Sequence, residues 1–126
     1  MTFQADANPK PTTARVLLVD DHADTLALLA RALTKFGYQV LTADSCAAAL
    51  ATPTASFDLL ITDLELGDGN GSRLCTDLRR TRPNLPAIAV TGHGVQAGDL
   101  PHFSAHLVKP IQFDTLIATI QRVLQV

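Results

Sequence analysis

The sequence predicts an α/β sandwich, a parallel sheet covered on both faces by helices. Short continuous apolar runs recur along the chain, as in strands buried on both faces. Between them stand segments whose apolar residues return at helical spacing. A third observation points to where function sits: two of the apolar runs end in aspartate, and such sheets bind ligands beyond the carboxyl ends of their strands, where strand order reverses.

Met1 to Ala14 is polar, holds Pro9 and Pro11 and shows neither period, so residues 1–14 read as a flexible N-terminal tail and residues 15–126 as one domain. Arg15 to Asp20 is the first strand, an apolar run closed by acid. From Ala23 the helical spacing of Leu26, Leu29, Ala30, Leu33 and Phe36 predicts a helix, and Gly37 supplies its stop. Gln39 to Ala43 is the second strand; Ser45 can cap a short helix through Leu50, which Pro53 ends. Leu59 to Asp63 repeats the acid-terminated pattern. The glycine-rich stretch Gly67 to Gly71 then turns into a helix carrying Leu74, Cys75 and Leu78 on one face and closing before Pro83. Ala87 to Thr91 and Ala105 to Val108 are the fourth and fifth strands. Lys109-Pro110 leads to a final helix whose inner face is Phe113, Leu116, Ile117, Ile120 and Leu124.

The 126 residues, 47 % apolar and 17 % charged, suffice for one well-filled domain and exclude a disordered chain. No apolar run approaches the roughly 20 residues that span a bilayer, and the opening segment lacks the apolar block of a secretory signal, which predicts a cytoplasmic protein with no membrane partner. The net charge is -2 and no basic stripe is present, so direct nucleic-acid binding is disfavoured. Arg79, Arg80 and Arg82 fall where a helix ends, and cations there offset the helix dipole. Cys46 and Cys75 lack metal-ligand spacing and read as reduced packing thiols.

The acids are clustered: Asp20, Asp21 and Asp24 fall in one window, Asp63, Glu65 and Asp68 in another. The strand ends bring Asp20, Asp21, Asp63, Thr91 and Lys109 to one rim. Carboxylates about 4 Å apart repel by about 4 kcal/mol per pair at an effective dielectric near 20, and a divalent cation removes that conflict. Hard oxygen donors suit Mg2+, which keeps several waters and prefers one or two carboxylates with a phosphate oxygen. Lys109 adds a compact cation and Thr91 a hydroxyl donor, so the rim is built for an anion beside a metal, with Asp63 as the nucleophile toward a phosphoryl group.

The Asp20-Asp21 pair, Asp63, Thr91 and Lys109-Pro110, in this order and each after an apolar strand, resemble the receiver domain of two-component response regulators over about Arg15 to Val126. The resemblance implies a doubly wound, flavodoxin-like five-stranded sheet of order 2-1-3-4-5. It also implies transfer of a phosphoryl group to Asp63 from a histidine of a sensor histidine kinase or histidine phosphotransfer protein. Magnesium would be held by Asp21, Asp63 and the backbone carbonyl of Glu65, with Asp20 acting through water. Thr91 and Lys109 would touch the phosphoryl oxygens, Lys109-Pro110 would be a cis peptide, and His106 would be the switch residue. Thr91-Gly-His-Gly94 and His106 to Pro110 look most like receivers of hybrid sensor kinases. Such a module is no enzyme beyond its own phosphorylation and dephosphorylation.

The sequence departs from the family in two places. Gly67 stands where the family usually has proline, which predicts a looser loop; Gly67, Gly69 and Gly71 lack dinucleotide-binding spacing and read as a turn. Between Thr91 and Lys109 only 17 residues intervene, about one helical turn fewer than the family uses. Gly98 and Pro101 further penalise a helix there, so the fourth helix is expected to be absent or reduced. Gly92 leaves the phosphoryl pocket uncovered, and Glu65 sets an acid beside its mouth. His22, His93, His102 and His106 are not expected to converge on a metal. Asp24, Asp44, Asp58 and Asp114 read as turn or cap residues. The competing readings are a phosphorylation-independent pseudo-receiver serving as an interaction module, and a phosphatase of the haloacid dehalogenase type suggested by Asp63-Leu-Glu65, a family that places its nucleophile on the first strand.

Overall fold

A computed structural model describes residues 14–92 and 102–124. Five strands, β1 (Arg15–Val19), β2 (Gln39–Ala43), β3 (Leu59–Asp63), β4 (Ala87–Thr91) and β5 (Ala105–Val108), form one sheet of order β2-β1-β3-β4-β5. Every pairing in it is parallel. The α-helices among the described residues are α1 (Ala23–Phe36), α2 (Cys46–Leu50), α3 (Gly71–Leu78) and α4 (Phe113–Leu124). This is the doubly wound order, and strand order reverses between β1 and β3.

The central strands are apolar throughout because both faces are covered. Val16 and Leu18 point to one side, with Ile61, Ile88 and Val90, and meet Leu26 and Leu33 of α1 and Leu116 and Ile120 of α4. Leu17, Val19 and Leu60 point to the other and meet Ala49 of α2 and Leu74, Cys75 and Leu78 of α3, over Phe57. Each such fully buried leucine or phenylalanine contributes about 1.5–3 kcal/mol through apolar transfer. The edge strand β2 leaves Leu41 exposed, and β5 leaves Val108 exposed. Phe36, expected on the inner face of α1, is 49 % exposed. At the helix end its ring stacks on Tyr38 and meets the edge of Phe113.

The helix ends follow the local chemistry of the sequence. Gly37 adopts φ 122°, open to glycine without strain, and its N–H reaches the carbonyls of Leu33 and Thr34. The hydroxyl of Ser45 accepts from the Ala48 amide, and the side chain of Asn70 accepts from that of Arg73. The arginines after α3 do more than face its dipole. Arg79 donates to the carbonyls of Leu85 and His102, and Arg82 to those of Thr54 and Phe57, pinning the connections at the amino edge of the sheet.

The loop after β3 carries a ladder of its own, a short antiparallel hairpin pairing Glu65–Leu66 with Gly69–Asn70. Asp68 at its tip accepts from the amides of Cys46 and Ala47 at 2.8 and 3.0 Å, fixing it to the start of α2. The loop that Gly67, in place of the family's proline, predicted to be looser is thus tied at both its base and its tip. Of the N-terminal tail only Ala14 lies within the described residues, and its carbonyl accepts from the Gln39 amide. The expected loss of a helix between β4 and β5 falls on 93–101, outside the described residues; His102 to Ser104, which follow, are not helical. Among the described residues no helix is long and apolar enough to cross a membrane.

Candidate functional site

Sheet register gathers the polar strand ends. Val19 is level with Thr62, so Asp20, one step beyond, stands beside Asp63, the last residue of β3. Thr91 ends β4 and is level with Val108, which brings Lys109 next to it; the Lys109 amide donates to the Thr91 carbonyl at 2.8 Å. Asp20, Asp63 and Thr91 are only 3 %, 5 % and 2 % exposed, whereas Asp21, at the start of the turn into α1, is more open. The Lys109–Pro110 peptide bond is cis.

The ammonium of Lys109 donates to Asp63 Oδ2 at 2.7 Å and lies 3.6 Å from Asp20 Oδ2. The other Asp63 oxygen, Oδ1, accepts from the Glu65 amide at 3.1 Å, and Asp20 Oδ1 accepts from the His22 amide at 2.8 Å. Burial by itself would push the Lys109 ammonium down, but its hydrogen bond to Asp63 and the charges of Asp20 and Asp63 outweigh that and hold it above its ordinary value. Gly71 closes the floor. A Cβ there would lie 2.3 Å from the Asp63 carbonyl oxygen, so no larger residue allows α3 to start this close beneath the site. Among the described residues, a Cβ on Gly92 would meet nothing within 4 Å.

Three carboxylates against one ammonium leave an excess of negative charge on a nearly buried floor. One oxygen each from Asp20, Asp21 and Asp63 lies within 4.8 Å of the others. Hard oxygen donors at that spacing fit a Mg2+ ion.

Not every expected residue joins this group. Glu65 is beside it through its backbone, and its side chain is exposed. His106 is exposed on β5, level with Ala89, away from the carboxylates. Asp68 is turned away to cap α2, and Asp58 binds Arg15 rather than closing a turn. One residue that sequence reasoning set aside is present: His22, whose Nδ1 lies 3.1 Å from Asp20 Oδ1 and 3.2 Å from Asp21 Oδ1. Its place directly after the aspartate pair puts it near the rim but does not say which way its ring turns.

Residues 16–121 match the response regulator receiver domain family. The chain is 36 % identical over 118 residues to the transcriptional regulatory protein GlrR of Escherichia coli, covering 89 % of this chain and 26 % of that protein. This chain therefore spans about a quarter of that relative's length. Among solved structures, the response regulator TrrA from Thermotoga maritima, in complex with Mg(2+)-BeF, aligns with TM-score 0.81 and 27 % identity over 89 % of this chain and all of that one. A CheY-like receiver domain protein from Methanospirillum hungatei aligns with TM-score 0.83 and 27 % identity, over 90 % of this chain and 94 % of that one.

Proposed function

The chain belongs to the response regulator receiver domain family, and from that premise we propose that Asp63 is its phosphoacceptor, taking a phosphoryl group from a phosphohistidine of a sensor histidine kinase or histidine phosphotransfer protein. The observation that carries this reading is the convergence of Asp20, Asp21, Asp63 and Lys109 at the ends of the β1, β3 and β5 strands.

In the transfer an oxygen of the Asp63 carboxylate attacks phosphorus, the P–N bond breaks, and the imidazole leaves with the electron pair and takes up a proton. Lys109 orients the attacking carboxylate beforehand. As the acyl phosphate forms, its ammonium neutralises charge on the phosphoryl oxygens, and the buried Thr91 at the end of β4 offers a hydroxyl to one of them. The Glu65 amide, fixed by the hairpin, keeps the other Asp63 oxygen in place. Asp20, Asp21, Asp63 and the Glu65 carbonyl would hold Mg2+, which when bound adds positive charge against the transferring group. His106 on β5 would register the change as the switch residue.

The chemistry is confined to the domain's own carboxylate, so the product is a signal and not a released compound. GlrR is a transcriptional regulatory protein and not a hybrid kinase, and an output acting on transcription would use segments beyond those that this chain matches. A cytoplasmic location, where a kinase phosphohistidine would meet Asp63, is part of this proposal. Incubation with acetyl phosphate and Mg2+ should add one phosphoryl mass to the intact chain, and Asp63→Asn should remove that gain. An unmodified native chain would instead mark a phosphorylation-independent interaction module.

A further inference from the structure

His22 occupies the N-cap of α1, where a side-chain oxygen normally accepts a backbone N–H of the first turn. It makes no such cap. The turn from β1 into α1 is folded by the His22 amide donating to Asp20 Oδ1 at 2.8 Å, and this brings the ring back over the acids. Its Nδ1 stands 3.1 Å from Asp20 Oδ1 and 3.2 Å from Asp21 Oδ1.

Those separations match a coordination shell. Neighbouring donors around an octahedral ion at about 2.1 Å are about 3 Å apart, and opposite donors about 4.2 Å. One donor atom each from Asp20, Asp21, His22 and Asp63 lies within 4.8 Å of all the others. The His22 side chain is 69 % exposed, so water has room to fill the remaining positions.

We propose that His22 supplies a nitrogen ligand, through Nδ1, to the cation held by Asp20, Asp21 and Asp63, making this a mixed nitrogen and oxygen site that favours Mn2+, Co2+ or Zn2+ over Mg2+. The proposal rests on the reading of the acidic cluster as a divalent-cation site. Imidazole raises affinity along the first-row series far more than it does for a hard ion that prefers oxygen. A His22 that merely donated a hydrogen bond to the carboxylates would hold them in place without shifting that preference.

The experiment uses the untagged full chain and the metals alone. Pulsed electron paramagnetic resonance of bound Mn2+ should show coupling to an imidazole nitrogen-14 that is lost in His22→Ala. In titrations, His22→Ala and His22→Gln should weaken Co2+ binding by about tenfold or more and leave Mg2+ binding nearly unchanged. Mn2+ bound through Asp21 and Asp63 without nitrogen coupling, or an unaltered Co2+ to Mg2+ ratio in both variants, overturns the role of His22 while leaving the cation site standing. Failure of any divalent ion to bind the native chain overturns both.

Discussion

At the scale of single residues the site works by placing charge where only part of it is neutralised. Lys109 satisfies one oxygen of Asp63 and approaches one of Asp20, and two backbone amides take the remaining oxygens. The exposed side chain of Glu65, unlike its amide, has no share in that network and adds one more negative charge beside it. An anionic phosphodonor must pass it. A charge about 4 Å away in water is worth about 1 kcal/mol, and less with salt. Glu65→Ala should therefore speed phosphorylation by acetyl phosphate, by about fivefold at most at low ionic strength. The rate of mass gain against salt concentration measures this, and an equal rate at all salts would remove Glu65 from the path. The strand-end acids and Lys109 were legible in the sequence because an apolar run that stops at a charged residue marks its own end. His22 was not, because nothing in a histidine next to two aspartates says which way its ring turns; that depends on the Asp20 oxygen that captures its amide.

At the scale of elements, side-chain oxygens rather than helix length hold the short pieces in place. A five-residue helix such as α2 has no independent stability; it exists because Ser45 caps it from its own chain and Asp68 caps it from the hairpin after β3. Ser45→Ala should cost about 1 kcal/mol, read from the denaturant midpoint, and should raise hydrogen exchange at Ala48 first. The serine cap was visible in the sequence, because it acts three residues away. The Asp68 cap reaches across 22 residues and was not. The opposite edge of the sheet is held by Asp58, which takes the guanidinium and the amide of Arg15 and so ties the start of β1 to that of β3. The Arg15 guanidinium hydrogen bond, opposed by partial burial, holds the Asp58 carboxyl below its ordinary value. A carboxyl lowered on folding adds stability that is complete above its unfolded value, about 3.9, and is lost as pH falls through the lower folded one. The denaturation midpoint should thus fall more steeply below about pH 4 in the native chain than in Asp58→Asn. Parallel acid limbs would show that the pair contributes nothing.

At the scale of the whole molecule, the two covered faces of the sheet supply the stability and the carboxyl edge draws on it. Apolar periodicity made the sheet legible, since Val16, Leu18, Leu60 and Ile61 can be buried only between two helical layers. The hairpin after β3 was harder to read, because two-residue strands show no period. The contrast between core and rim sets a thermodynamic expectation. Asp20 and Asp63 are almost fully enclosed, Asp21 is close by, and among the described residues Lys109 is the one ammonium beside them. Folding without a cation therefore works against mutual repulsion, and a cation that binds only the folded chain returns free energy by mass action. With free Mg2+ at one hundred times its dissociation constant, that gain is about 2.7 kcal/mol. Mg2+ should accordingly raise the melting temperature of the native chain in a concentration-dependent way. Asp21→Asn separates the two effects, because Asp21 lies outside the Lys109 pair. Removing its charge eases the repulsion while taking away a ligand, so the variant should melt higher than the native chain in the presence of a chelator and lose most of the rise with Mg2+. A variant that melts no higher than the native chain without metal would mean that Asp21 meets no net repulsion there, and the edge would no longer count as a cost of carrying the site.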